Sequence, residues 1–124
     1  MAFLGDSYSK GIGASSNGKR WTTLVSAAME WSELNLAEGG SGYTTTYLGQ
    51  KTDYSIKLDV IAAAQPDIVV VSGGRNDYEA GTSTIVGAVA ASLFESIKST
   101  APNADLIVTS PIWDSTNPPL TLRP

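Results

Sequence analysis

Apolar positions along the chain fall into alternating short runs and helical stripes. Ala2 to Leu4 is a short apolar stretch that stops at Gly5-Asp6-Ser7. Trp21, Leu24, Val25 and Ala28 recur at i, i+3, i+4 and i+7, which predicts an amphipathic helix with that stripe turned to the core. Glu33 to Ala37 is a weaker strand candidate that runs into Gly39, Gly40 and Gly42. Ile56, Val60 and Ala63, with Leu58 and Ile61 beside them, predict a second helix closed by Pro66. Asp67 to Ser72 is the clearest strand. Its β-branched run has no polar alternation, the pattern of a strand buried on both faces. Gly73-Gly74 ends it. Thr82 or Ser83 is the candidate cap of a third helix, whose face is Val86, Val89, Ala90, Leu93, Phe94 and Ile97. Asp105 to Thr109 predicts a fourth strand, broken by Pro111.

Strands and helices in alternation imply an α/β fold of three layers, a parallel sheet with helices on both faces. In such sheets ligands bind outside the carboxyl ends of the strands. Gly5-Asp6-Ser7, Glu38 to Tyr43, and Gly73 to Asp77 are glycine-bearing polar loops at those ends. They are expected side by side on one edge, before any chemistry is considered. Residues 1–124 read as a single domain without repeats or linkers. The segment Asp114 to Pro124 carries Pro118, Pro119 and Pro124 and has no period of its own. The fourth strand thus lacks a successor, and the domain is expected to be incomplete at its C-terminus. The start at a strand suggests a trimmed N-terminus, so the compartment is left unknown.

Charge and composition narrow the function. The net charge is −4, from 8 Lys+Arg against 12 Asp+Glu. That argues against a nucleic-acid partner or an anionic membrane surface, both of which reward basic patches. No apolar run approaches the roughly 20 residues of a membrane span. The absence of cysteine removes disulfides and thiolate metal sites, and the absence of histidine removes the commonest general base and metal ligand.

The three loops carry motifs. Phe3-Leu4-Gly5-Asp6-Ser7-Tyr8, Asn35-Leu36-Ala37-Glu38-Gly39-Gly40 and Gly74-Arg75-Asn76-Asp77 resemble, in order and spacing, the first three blocks of the SGNH (GDSL-type esterase/lipase) superfamily. The resemblance runs across essentially the whole chain and implies a flavodoxin-like three-layer fold. It implies that Ser7 is the nucleophile of a serine ester hydrolase. Gly40 and Asn76 would form the oxyanion hole, with the Ser7 N–H as a third donor. A small insertion would put Gly42 in place of Gly40. Asp6 and Asp77 are read as loop-organising groups. The superfamily's fourth block, D-x-x-H, is absent. Its histidine is the general base and its aspartate the orienting group, and neither role passes to a residue here. Asp114 is followed by Ser115, Thr116 and Asn117 and is not assigned.

Two other features are weaker. Gly13 to Lys19 matches most of a P-loop, but Arg20 stands where a Ser or Thr would hold magnesium, and no strand precedes it directly. Among the tryptophans, Trp21 reads as core. Trp113 suits either a substrate cleft or a cover for the last strand.

The leading expectation is an esterase acting on a small acyl ester, with this 124-residue form nearly inactive for want of the histidine. A second is a non-catalytic binding module, or a half-site completed by a partner chain, with self-association through the last strand. A third is an unrelated parallel α/β domain whose glycine loops hold a small ligand. Lipid esters, thioesters and carbohydrate esters all remain open as substrates. No cofactor and no metal is implied.

Overall fold

The computed structural model describes residues 1–47, 50–82 and 84–113. Its strands are β1 (Ala2–Gly5), β2 (Leu34–Asn35), β3 (Thr46–Tyr47), β4 (Gln50–Lys51), β5 (Ile68–Ser72) and β6 (Asp105–Thr109). Its helices are α1 (Ser7–Lys10), α2 (Trp21–Ala28), α3 (Leu58–Ala64), α4 (Arg75–Glu79) and α5 (Val86–Thr100). Four strands form one parallel sheet in the order β2-β1-β5-β6. The strands β3 and β4 pair separately as an antiparallel ribbon.

Register assigns the layers. Ala2 lies opposite Val69, Phe3 opposite Val70, and Leu4 opposite Val71. Alternate side chains of a strand point to opposite faces. Ala2, Leu4, Val69 and Val71 therefore share one face, and they cluster with Ile61 of α3 and with Leu93 and Ile97 of α5. Phe3 and Val70 share the other face, where Trp21 of α2 meets the Phe3 ring edge-on at 5.4 Å. Helices thus cover both faces of a parallel sheet. The run Val69 to Ser72 is buried throughout, as its unbroken apolar pattern requires.

The helix faces depart from the periodicity in two places. In α2 the buried residues are Thr22 and Ser26, while Leu24 and Val25 are 55% and 37% exposed. Of the predicted stripe, Trp21 does turn inward; Leu24, Val25 and Ala28 do not. The reason is local. The inner face of α2 meets a polar junction, in which Asn35 Nδ2 donates to Thr22 Oγ1 at 2.9 Å and to the Ser9 carbonyl at 2.8 Å. Small hydroxyl side chains fit that junction and leucine does not. In α3, a 3-10 turn at Tyr54–Lys57 resets the helical phase. Ile56 falls in that turn and is exposed with Val60 and Ala63, leaving Ile61 as the buried residue and Leu58 packed against the core.

The predicted cap of the third helix is also corrected. Ile85 occupies the N-cap of α5 with no side-chain cap bond. Thr82 instead donates its hydroxyl to the Asp77 carbonyl at 3.0 Å. Ser83, the alternative, lies outside the described residues, as does the segment from Asp114 to Pro124. The ribbon β3–β4 was not anticipated, since its two-residue strands are too short to show alternation.

Candidate active site

All four sheet strands run parallel, so their carboxyl ends meet on one edge. The first loop there begins at Gly5. A Cβ on Gly5 would come within 2.5 Å of the Ser9 side chain and 2.9 Å of the Ser72 carbonyl, so the chain turns off β1 where only glycine fits. Asp6 follows as the N-cap of α1, its Oδ1 accepting the Tyr8 N–H at 2.9 Å. Ser7 is the first residue of this one-turn helix. Its carbonyl accepts the N–H groups of Gly11 and Ile12, which pins the turn beneath the side chain. Its hydroxyl has no hydrogen-bond partner among the described residues and faces a cleft of about 390 Å³. Asp6, Tyr8, Ile12, Arg75, Asn76 and Glu79 complete the lining.

The second loop is drawn in by hydrogen bonds. Glu38 N–H donates to the Gly5 carbonyl at 2.9 Å. Ser41 Oγ sits 2.8 Å from the Gly5 carbonyl and 2.6 Å from that of Glu38. Gly40 has φ 77°, a left-handed conformation that glycine adopts without strain. Gly42 has a different job. A Cβ there would lie 2.5 Å from Asp77 Oδ2, and its carbonyl accepts the Tyr54 N–H at 2.9 Å.

The third loop leaves β5 through Gly73 and Gly74 and starts α4 at Arg75. Asn76 donates its amide to the Ser41 carbonyl at 2.8 Å. Its Nδ2 carries a second hydrogen that this bond does not use. Asp77 is fully buried. Its carboxylate accepts the Tyr43 N–H at 3.0 Å, the Thr44 N–H at 2.7 Å and the Thr44 hydroxyl at 2.7 Å, locking the second loop to the third.

The sequence-predicted residues are therefore brought together unequally. Ser7 and Asn76 line the same cleft. Gly40 adjoins the residue whose carbonyl holds Asn76, but it is not in the cleft lining. Gly42 is packed behind, against Asp77.

Burial dominates the electrostatics. It pushes the Asp6 carboxyl above the usual aspartate range; the Tyr8 N–H and the Arg75 charge pull against this, and Asp77 adds to it. Burial, with Asp77 nearby, pushes the Tyr43 phenol up to about 12.

Several site residues were not visible in the sequence. Ser41 couples all three loops, yet a lone serine in a glycine cluster carries no signal. Arg75 donates from Nη1 to Tyr8 Oη at 3.0 Å and from Nε to Glu79 Oε1 at 3.0 Å. Its guanidinium lies 5.0 Å from the Trp113 ring centroid, and Tyr78 meets that ring edge-on at 5.4 Å. Trp113 thus stacks beside Arg75, a cleft residue, without itself lining the cleft, and both uses that the sequence left open for it stay open. The P-loop-like segment lies away from this edge in role: residues 17–19 form a 3-10 turn ahead of α2.

Several known structures share this architecture. A family two carbohydrate esterase from Clostridium thermocellum, solved in complex with cellohexaose, superposes with a TM-score of 0.73 at 16% identity, over 98% of this chain and 44% of that one. A family two carbohydrate esterase from Cellvibrio japonicus gives a TM-score of 0.74 at 16% identity, over 94% of this chain and 43% of that one. The chain thus spans less than half the length of these structures, and at such identity the likeness is one of fold. Comparison with curated proteins gives no match. Residues 3–124 match the sequence profile of the GDSL-like Lipase/Acylhydrolase family, and the chain belongs to that family.

Proposed function

We propose that the chain supplies the nucleophile and oxyanion hole of a serine ester hydrolase, with Ser7 as the attacking group. The observation that carries this is the shared cleft of Ser7 and Asn76, with the Ser7 hydroxyl unbound among the described residues at the start of α1. Ser7 Oγ attacks the ester carbonyl, its proton leaves to a base, and the carbonyl oxygen becomes an oxyanion. Preorganised N–H donors stabilise that charge in a site shielded from water. The second Nδ2 hydrogen of Asn76 and the backbone N–H groups of Ser7 and Gly40 fit this role. Gly42 fits it less well, because it is packed against the Asp77 carboxylate and is not part of the cleft lining. The tetrahedral intermediate collapses to an acyl-Ser7 ester with loss of the alcohol, and water then releases the acid.

With no histidine among the 124 residues, the proton acceptor is proposed to be a histidine outside them. The favoured substrate is an acylated sugar. Tyr8, Tyr78 and Trp113 give the rim apolar rings, and Arg75 and Glu79 give it donors and acceptors for hydroxyl groups. The fold-related carbohydrate esterase bound to cellohexaose agrees with that choice.

The test is chemical rescue. Lacking its base, the chain should hydrolyse p-nitrophenyl acetate only at the residual level of about 10³–10⁴-fold over water expected of a crippled triad. Added imidazole should accelerate an acetyl adduct on Ser7, detected by mass spectrometry and absent from Ser7→Ala. Asn76→Ala should slow turnover by about 10²-fold. No adduct on Ser7 with imidazole present would remove it as nucleophile. Turnover at ordinary enzyme rates without imidazole would show that the base lies within the chain.

A second reading, a half-site completed by a partner chain, is favoured by the edge strand β6, where Ile107 and Val108 are 44% and 46% exposed. Size-exclusion chromatography separates the two. An inactive monomer tells against completion by a second copy.

A further inference from the structure

Behind the three loops lies a buried hydroxyl that the reaction does not use. Tyr54 is 2% exposed, and its Oη has no hydrogen-bond partner among the described residues. An orphaned buried hydroxyl is costly and calls for a partner. The position of Oη is set from two sides. The Tyr54 N–H donates to the Gly42 carbonyl in the second loop, and Asp53 just before it bridges to Gly42. The ring packs edge-on against Tyr43 at 5.1 Å. This delivers Oη over Gly73 in the third loop, so close that a Cβ on Gly73 would overlap it. That added Cβ, and not Oη itself, would lie 3.5 Å from Asp6 Oδ2 in the first loop, so the phenol and the carboxylate both border the Gly73 backbone. Asp6 is itself buried; its Oδ1 is taken by the Tyr8 N–H, its own N–H lies close to the carboxylate, and no side-chain donor among the described residues is bonded to Oδ2.

We propose that Tyr54 is a positioning residue whose hydroxyl reaches Asp6 Oδ2 through one enclosed water, and so fixes the N-cap that presents Ser7. One oxygen of the Asp6 carboxylate then caps the helix and the other is held from beneath. A carboxylate gripped at both oxygens cannot rotate, and the Ser7 turn is fixed with it. The role also explains why Gly73 follows Ser72: any side chain there would displace the phenol. The groups that face Asp6 are Arg75 and Asp77 of α4 and Tyr54 from the 3-10 turn. Of these, Arg75 and the Tyr54 hydroxyl favour the ionised carboxylate, and Asp77 opposes it.

This inference rests on Ser7 being the nucleophile, but its test reads Asp6 separately. In Tyr54→Phe the ring and its packing stay and only the hydroxyl goes. The Asp6 carboxyl carbon, followed by NMR through a pH titration, should show its midpoint raised by about one pH unit, the scale of one charge-assisted hydrogen bond. The pH dependence of the imidazole-rescued Ser7 adduct should move by the same amount. An unmoved Asp6 midpoint in a folded Tyr54→Phe protein would overturn the proposal. Should that variant not fold, Asp6→Asn serves instead: the Tyr54 Cζ resonance should shift, and an unchanged resonance overturns the proposal equally. Failure of the Ser7 adduct alone, with the Asp6 midpoint raised, would sink the nucleophile and leave the Tyr54–Asp6 pair standing.

Discussion

Single carboxylates hold this edge of the molecule together. Asp77 accepts from two backbone N–H groups and one hydroxyl with no exposure to water. Asp77→Ala would leave those buried donors unpaired and should cost about 2–4 kcal/mol in urea unfolding, the range for breaking such a network; a loss near zero would show that the second loop is held some other way. Asp6 and Glu33 should give opposite pH slopes. Asp6 is raised by burial, so the stability it contributes is full below the unfolded aspartate value and lost as pH rises through the folded one. Unfolding of wild type against Asp6→Asn should therefore show wild type losing ground as pH rises through that window. For Glu33, burial alone would raise the carboxyl, but hydrogen bonds from Thr23 and Thr22 and the Arg20 guanidinium outweigh it and hold it below the usual glutamate range. Its stability is present above the unfolded glutamate value and lost on acidification. Glu33→Gln should cost about 1 kcal/mol near neutral pH and progressively less below it. At this scale the sequence told much: serine, asparagine and aspartate at strand ends carry recognisable chemistry. Tyr54 and Ser41 stayed hidden, because their contacts cross between loops far apart in the chain and follow no spacing rule.

The elements were legible where the buried surface is apolar throughout. The β5 run and the α5 stripe of Leu93 and Ile97 are simple cases of that kind. The α2 stripe misled, because the helix turns hydroxyls toward Asn35 and leaves Leu24 and Val25 at the surface. Periodicity reports a face, and only the neighbouring element decides whether that face is used. Glycines sort in the same way. Gly42→Ala drives a methyl group toward a buried carboxylate and should cost about 1–3 kcal/mol. Gly87 lies in the first turns of α5, exposed and with no atom within 4 Å of an added Cβ. Gly87→Ala should raise stability by about 0.5 kcal/mol through helix propensity alone. Thermal unfolding of the two variants side by side checks both, and equal effects would contradict this assignment.

For the whole molecule, the alternation of strands and helices was enough to give the layered parallel sheet. The strand order was not, because it depends on which sequence-distant strands pair. β6 closes one edge with both Ile107 and Val108 partly bare. Such an edge should drive concentration-dependent association in sedimentation, and Val108→Lys should suppress it; wild type that stays monomeric at high concentration would refute this. The pairing of β1 has a temporal consequence. Ala2 to Gly5 sit between Leu34–Asn35 and Val69–Ser72, so the strand that leads into Ser7 has no complete setting until β5 exists. On a ribosome, Ser7 is made well before the strand that completes its setting. Folding dominated by such distant pairings falls in the slow regime of milliseconds to seconds. During synthesis the apolar run Ala2 to Leu4 must wait in the open until β5 has been made.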